Sequence, residues 1–276
     1  MVLGYALAVF VGIVLGALGG GGAVLTVPLL VYVFGVGMKH AVPMSLIVVG
    51  LTSLLGVYRY HRMGHLDIGA AIIFGPAAMI GAVLGTEVAF LVSGHVQLLV
   101  FGSLLVIAAT LMLRRSRAKR QATPIVRRPI ILLALIGTCV GFLTGLVGIG
   151  GGFMYVPALA LLAGLEMHAA VGTSLALIAL SCSAGLVRYI GRIDLDWKLT
   201  GTVTLLAFLG VAIGAAFASR LPQQTLRRAF AVLLLVMGGF VLLKGEARPT
   251  ASGSGGAAIG EAPVTTLVAD LFHWRS

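Results

Sequence analysis

Charged residues are scarce in this 276-residue chain, and their scarcity excludes a soluble globular protein. They make up 10% of the sequence, hydrophobic residues make up 59%, and the mean hydropathy is +1.12. A soluble domain carries about 25% charged residues, because its surface must face water. Apolar runs long enough to cross the roughly 30 Å core of a bilayer fill most of the chain. The sequence therefore predicts an all-α, polytopic protein of the cell membrane.

Cysteine and N-terminal basic residues are also lacking. The two cysteines, Cys139 and Cys182, both lie in apolar segments, so nothing in the sequence suggests an extracellular disulfide framework. No Lys or Arg precedes the first apolar run, which begins at Val2 and forms part of an internal repeat. We therefore expect this run to be a retained membrane segment and not a cleaved signal peptide.

The formal net charge of +11 is concentrated in one place. Seven basic residues occupy a short acid-free stretch, namely Arg114, Arg115, Arg117, Lys119, Arg120, Arg127 and Arg128. Basic residues beside membrane segments mark the cytoplasmic side and can contact anionic lipid headgroups. The charge therefore indicates topology and a lipid environment, and we expect no nucleic-acid partner.

One glycine-rich sequence occurs twice, 129 positions apart. The first copy is GALGGGGAVLTVP, residues 16–28, and the second is GLVGIGGGFMYVP, residues 145–157. Of the 57 positions from 11 to 67, 21 are identical to their partners at 140–196. Shared apolar composition cannot hold one register over that length, so the chain predicts two homologous halves.

The repeat divides the chain into four parts. We expect a first membrane repeat at 1–113, a basic cytoplasmic linker at 114–129, a second membrane repeat at 130–244 and a disordered tail at 245–276. The tail is predicted from its Gly, Ala, Ser and Pro content, which cannot bury enough apolar surface to fold.

Each half contains five apolar segments. They are Val2–Gly19, Ala23–Val36, Ala41–Tyr58, Ile68–Val92 and Val96–Leu113, then Ile130–Leu146, Phe153–Leu165, Ala169–Tyr189, Trp197–Ala218 and Thr225–Leu243. The second segment of each half, at about 13 residues, is too short for an untilted crossing. We expect four full spans plus a short re-entrant or discontinuous helix per half, eight spans in all. The alternative is ten spans with inverted repeats.

The glycine runs predict interrupted helices. Glycine has the poorest helix propensity after proline, and an unwound stretch inside a bilayer must be satisfied by protein or a cavity. Exposed N–H groups and a helix N-terminus would then form an anion site near mid-membrane. The residues of this site are Gly19, Gly20, Gly21, Gly22, Gly148, Gly150, Gly151 and Gly152, with Pro28 and Pro157 as helix breaks. The alternative, close helix packing, is favoured for the isolated pair Gly81 and Gly85.

Several motifs of enzymes and metal proteins are missing. Neither glycine run is followed by Gly-Lys-Ser/Thr, which excludes a nucleotide phosphate loop, and no dinucleotide-binding strand–helix unit is present. The histidines form no metal set, and no segment pairs a nucleophile with a base. We therefore predict no enzyme activity, no cofactor and no metal.

The paired glycine motifs, each followed by a small-residue helix ending in Arg-Tyr, resemble the TauE/SafE sulfite exporter family from residue 4 to about 244. The resemblance implies a transporter of small sulfur-containing anions such as sulfite, thiosulfate or organosulfonates. Together with the paired breaks, it leads us to expect a secondary transporter that works by alternating access. The alternative is a passive anion channel of the same architecture.

Polar side chains in the apolar segments fit such a substrate. Hydroxyl groups can donate to a sulfite or sulfonate oxygen without a buried charge, although they also bond to their own helix backbone. The predicted lining residues are Thr26, Ser45, Ser53, Tyr155, Ser174 and Cys182. Arg59 and Arg188, each followed by Tyr, either attract anions or, as we prefer, anchor the helices at the interface. Glu87 is expected to be an interfacial carboxylate.

Overall fold

The computed structural model of the chain describes residues 2–89, 91–92, 94–117, 130–147, 152–187 and 195–246, and in these ranges the fold is all-helical. The helices are α1 Val2–Leu18, α2 Gly21–Pro28, α3 Met38–Arg62, α4 Ile68–Ala89, α5 Gly94–Arg117, α6 Ile130–Val147, α7 Gly152–Pro157, α8 Met167–Val187, α9 Trp197–Ala218 and α10 Gln223–Glu246. Two π-helical segments, π1 Leu29–Val33 and π2 Ala158–Leu162, continue α2 and α7. Most of the predicted linker and tail lies outside the described residues.

The helix bounds follow the register of the sequence repeat. α4 and α9 begin and end at positions 129 apart, and so do α5 and α10 and the two π segments. Each π segment is followed by a glycine with positive φ, Gly35 at 69° and Gly164 at 80°. Glycine adopts this left-handed conformation without a Cβ clash, so it ends the short helix at the same place in both halves.

The prolines after the glycine runs lie where α-helix changes to π-helix. Pro28 is the last residue of α2 and Pro157 the last residue of α7. Proline has no N–H and its ring crowds the preceding turn, and the hydrogen bonds that follow skip five residues, from Phe34 N–H to Leu29 O and from Ala163 N–H to Ala158 O. The prolines were predicted as helix breaks, but the chain stays helical through both of them.

Glycines allow the closest helix contacts in the bundle. On α1, a Cβ added at Gly16 would lie 2.5 Å from the carbonyl oxygen of Val211 on α9. On α4, a Cβ added at Gly81 would lie closer still to the carbonyl oxygen of Thr138 on α6. Small residues let backbones approach in this way, so the packing interpretation of Gly81 is confirmed.

The helices α3 and α8 run antiparallel to each other along their length. Leu46 lies beside Gly185 near one end of the contact, Gly50 beside Cys182 near its middle, and Tyr60 beside Gly172 near the other end. We call the end of the bundle at which α3 ends and α4 begins the α3–α4 face. Helix α8 begins at this face.

Four helices are long and apolar enough to cross a membrane, among the described residues: those covering His40–Arg62, Ile68–Gly85, Met167–Leu186 and Trp197–Ala218. The short α2–π1 element runs back along α1. Gly22 contacts Leu15 near the end of α1, and Gly4 near its beginning contacts Val33 and Phe34. This element therefore returns over most of the length of α1.

Candidate functional site

The first glycine run interrupts the helix over only two residues. Gly19 has a φ of +68°, and Gly19 and Gly20 form a turn between α1 and α2. Gly21 and Gly22 already belong to α2, because the N–H groups of Gly22 and Ala23 bond back to the carbonyls of Gly19 and Gly20 at 3.4 and 3.2 Å. The sequence predicted an unwound run of four glycines, and the interruption is narrower than that.

The short helices α2 and α7 meet at their N-terminal ends. The backbone of Gly20 approaches the carbonyl group of Gly152 so closely that a Cβ on Gly20 would overlap it. The same Cβ would lie 2.7 Å from the Cα of Phe153. Ala23, one turn into α2, also lies beside Gly152. Gly20 and Gly152, both predicted from the repeat, are thus brought together by the fold.

This meeting point lies halfway along α8. A Cβ on Gly152 would lie 2.9 Å from Cγ1 of Ile178, and one on Gly19 would lie 2.6 Å from Oγ of Ser174. Both partners are near the middle of Met167–Val187. The predicted residues Gly19 and Ser174 are therefore neighbours, and none of the side chains named at this meeting point carries a charge.

Three predicted lining hydroxyls bond to their own helices. Thr26 donates to the carbonyl of Gly22 at 3.2 Å, Ser45 to that of Val42 at 2.7 Å and Ser174 to that of Val171 at 2.8 Å. This is the bond that serine and threonine commonly form inside helices.

Ser53 differs from these hydroxyls. Its side chain is fully buried, and its Oγ has no hydrogen-bond partner among the described residues. Ser53 lies one helical turn from both Gly50 and Gly56, and these glycines contact Cys182 and Leu175 of α8. In the sequence repeat Ser53 corresponds to Cys182, which is also buried. A buried hydroxyl without a partner costs about 1–3 kcal/mol, a cost that a bound ligand or water at Ser53 would remove.

Tyr155 joins α7 to α8. Its hydroxyl lies 3.2 Å from Oγ of Ser181, and its ring packs edge-on against Phe74 of α4 at a centroid distance of 6.0 Å. Ser181 was not among the predicted lining residues, although its position as the repeat partner of Thr52 was visible in the sequence. The hydroxyl of Ser181 itself donates to the carbonyl of Leu177 at 2.9 Å, so Tyr155 is the donor in the bond between the two hydroxyls.

Some predicted residues cannot be placed. Gly148, Gly150, Gly151 and Arg188 lie outside the described residues. Arg59 is half-buried near the end of α3, where its neighbour Arg62 lies over the ring of Tyr58 at 5.7 Å.

The sequence also missed a contact between two histidines. His65, in the loop after α3, stacks on His168 of α8 at a centroid distance of 5.1 Å. The two residues are far apart in the chain and belong to different halves, so no local spacing indicated the pair. Within the described ranges, no three His, Cys, Asp or Glu side chains are grouped so as to hold a metal ion.

Comparisons with known proteins give the family. Residues 4–241 match the family model described as "Sulfite exporter TauE/SafE". A "probable membrane transporter protein" of Xylella fastidiosa (strain Temecula1) is 32% identical over 242 residues, which cover 84% of this chain and 91% of that protein. The "probable membrane transporter protein YdhB" of Bacillus subtilis (strain 168) is 27% identical over 235 residues, covering 84% of this chain and 96% of that protein. No solved structure matches the chain.

These findings agree with the apolar helices of the bundle. The predicted multi-pass membrane location is confirmed, and the relatives are named as transporters, which does not favour a passive channel or an enzyme. Because the family model covers nearly the whole helical part, the chain belongs to the TauE/SafE sulfite exporter family of membrane proteins.

Proposed function

We propose that this chain is a secondary transporter of a small sulfur-containing anion, such as sulfite, thiosulfate or an organosulfonate, and that it works by alternating access. The observation that carries the proposal is the meeting of Gly20 and Gly152 halfway along α8, where the interrupted helices of the two halves cross. Secondary transporters bind substrate at such discontinuous helices between repeats.

The helix directions support ten membrane segments with inverted halves, the alternative to the eight-span arrangement. Helices α3 and α8 occupy equivalent places in the repeat and run antiparallel. Helix α1 runs parallel to α9, because Gly12 and Gly16 meet Ala207 and Val211 in the same order. Because α8 and α9 are consecutive and run in opposite directions, α1 and α3 run in the same direction. The α2–π1 element between them must therefore return across the bundle.

The charges support an orientation with the α3–α4 face in the cytoplasm. That end of the bundle receives Arg59 and Arg62 from α3, and α5 returns to it with Arg114. The turn between α9 and α10 adds Arg220, and the beginning of α10 adds Arg227 and Arg228. The α3–α4 face also receives the acids Asp67 and Glu166, whereas the opposite end receives Lys39, Lys198 and Lys244 together with an equal number of acids, Glu87, Asp196 and Glu246. Positive charge is enriched on the cytoplasmic side of membrane proteins.

The proposed site uses neutral donors. Ser53 supplies a buried hydroxyl with no described partner, and the hydroxyl of Tyr155 supplies a second donor if it turns from Ser181 to the anion. The dipoles of α2 and α7 point their positive ends toward Gly20 and Gly152. Sulfite and sulfonate oxygens accept several hydrogen bonds, so such a site can hold the anion without a buried basic side chain and release it again.

The test is transport by the purified protein in proteoliposomes. Radiolabelled sulfite, thiosulfate and a small sulfonate are offered separately, and preloaded unlabelled anion is used to drive counterflow. We expect saturable uptake of at least one anion, accelerated by the unlabelled anion on the other side. Flux of none of them through folded protein would refute the substrate class. Ohmic single-channel currents without counterflow would refute alternating access.

A further inference from the structure

A stacked histidine pair joins the two halves at the α3–α4 face. His65 lies in the loop between α3 and α4, and His168 lies in the first turn of α8. Their ring centroids are 5.1 Å apart and their planes are inclined by 27°. Nε2 of His168 lies 3.1 Å from the carbonyl oxygen of Ala218, the last residue of α9. The pair therefore connects the α3–α4 loop with the adjoining ends of α8 and α9.

The backbone around the pair is tightly closed. The carbonyl oxygen of His65 contacts Gly172, where no Cβ would fit, and the N–H of Asp67 donates to Oγ1 of Thr173 at 3.1 Å. His168 is only 8% exposed. Nδ1 of His65 is buried and has no hydrogen-bond partner in the described part of the chain. Water is thus excluded from one ring nitrogen of His65 and from most of His168.

Among the residues that the structure describes, the acids nearest to these rings have other partners. The titratable and charged groups on the surrounding elements are Arg59, His61 and Arg62 on α3, with Asp67, Glu166, Arg220 and Arg227 beyond it. Asp67 Oδ1 accepts the N–H of Ala70 at 2.9 Å, and Glu166 Oε2 accepts Nε2 of Gln223 at 2.9 Å. Neither acid is ion-paired with an imidazole in the described structure. The stacking also disfavours a shared metal, which would have to lie in the plane of both rings.

We propose that His65 and His168 form a proton-sensitive contact that holds the two halves together at the α3–α4 face, and that protonation opens the anion site toward this face. The inference rests on the proposed transport function, whose access it regulates. Histidine is the side chain that takes up a proton between pH 5 and 8. The carbonyl of Ala218 at the end of α9 can accept a hydrogen bond from a protonated His168, but two protonated rings stacked 5.1 Å apart repel each other.

The direction of the pH effect follows from proton linkage. Opening separates the two rings and removes their mutual repulsion, so the open state can hold a proton on each ring, which the closed stack disfavours. The state that binds more protons gains population as the pH falls. Neutral to alkaline pH therefore keeps this face closed, and acid pH opens it.

The test measures a distance across the contact without any substrate. Spin labels are placed at Arg62→Cys and Arg220→Cys, two exposed positions on different halves. The exposed Cys139 is replaced by serine, and the protein is reconstituted in lipid nanodiscs. Pulsed electron paramagnetic resonance then gives the label–label distances at pH 7.5 and pH 5.0. Melting temperatures establish that each variant is folded.

We expect one distance at pH 7.5 and a second, longer distance that appears at pH 5.0. This second distance should disappear in the double variant His65→Gln with His168→Gln, which keeps polar side chains but cannot titrate. It should persist in the matched control His61→Gln, whose ring is exposed and lies outside the stack. If the double variant does not fold, the single variant His65→Gln, which leaves one titrating ring and no repulsion, should likewise lose the second distance.

Two results would overturn the inference. One is a single, unchanged distance at both pH values in the parent protein, and the other is a pH response that survives in the folded glutamine variants. Because no anion is present, a pH-dependent opening in protein that transports none of the tested anions would refute the proposed function and leave the histidine contact standing.

Discussion

Adding one methyl group at Gly20 should disable the crossing of the two interrupted helices. Gly20 has φ −53° and ψ −20°, values that alanine adopts without strain, so the substitution Gly20→Ala changes contacts and not backbone preference. The new Cβ would lie 2.7 Å from the Cα of Phe153, about 0.7 Å short of an ordinary carbon–carbon contact. Its overlap with the carbonyl of Gly152 is greater still.

The cost of that overlap sets the size of the effect. Overpacking a tight contact costs about 1–3 kcal/mol, and each kcal/mol lowers the melting temperature of a protein of this size by about 2–4 °C. Relief of the overlap moves α2 away from α7. Displacement of binding groups by about 1 Å can lower a rate about 10²-fold, so we expect anion flux to fall by that order.

The assay compares Gly20→Ala with Gly201→Ala in proteoliposomes and in thermal unfolding. Gly201 is an exposed helical glycine with open space around it, and alanine there should leave flux unchanged and stabilise α9 by about 0.5–1 kcal/mol. Equal flux and equal melting temperatures in the two variants would refute the assignment of the site to the Gly20–Gly152 crossing.

Three further predictions concern single side chains. Ser53→Ala should raise the free energy of unfolding by about 1–3 kcal/mol, because it removes an unpartnered buried hydroxyl, and it should lower anion flux. The control Ser183→Ala, which removes a hydroxyl bonded within its own helix, should change neither quantity. A Ser53→Ala variant that is less stable than the parent would contradict the geometry. Tyr60→Phe removes a 3.1 Å hydrogen bond to α1, and chemical denaturation should show a loss of about 0.6–1.7 kcal/mol. Gly141→Leu should abolish the folded peak in size-exclusion chromatography, because a Cβ at this position meets the backbone of α4. The control Gly201→Leu should retain the peak. A folded Gly141→Leu variant would refute the packing argument.

Helix positions were largely predictable because most helices coincide with an apolar run of the sequence. The predicted segment Trp197–Ala218 has the bounds of α9, where the carboxylate of Asp196 caps the helix by accepting the N–H of Leu199 at 3.0 Å. Helix α5 continues past its apolar run to Arg117. Arginine is a good helix former, so loss of hydrophobicity marked the membrane boundary and not the end of the helix.

Contacts between halves were not predictable from the sequence. Charge patterns left both eight and ten spans open, and the directions of α3 and α8 are visible only in the packing of pairs such as Gly50 with Cys182. The π segments were missed for a similar reason, since Pro28 indicates a weakened helix but not how the following turn rearranges. The serines were recognised as polar residues in apolar segments, but which hydroxyl lacks a partner depends on rotamers and neighbours.

Helices of the first half pack on helices of the second half, and this arrangement has a consequence for biosynthesis. Helix α6 packs on α4, so this pair can form while the rest of the second half is still being translated. The glycine-bearing side of α1 packs on α9, the last helix but one, and has no such neighbour until that helix leaves the ribosome. Pairings between distant segments form late and leave intermediates exposed. Expressed as separate chains, the halves should therefore be degraded individually and survive only when they are made together.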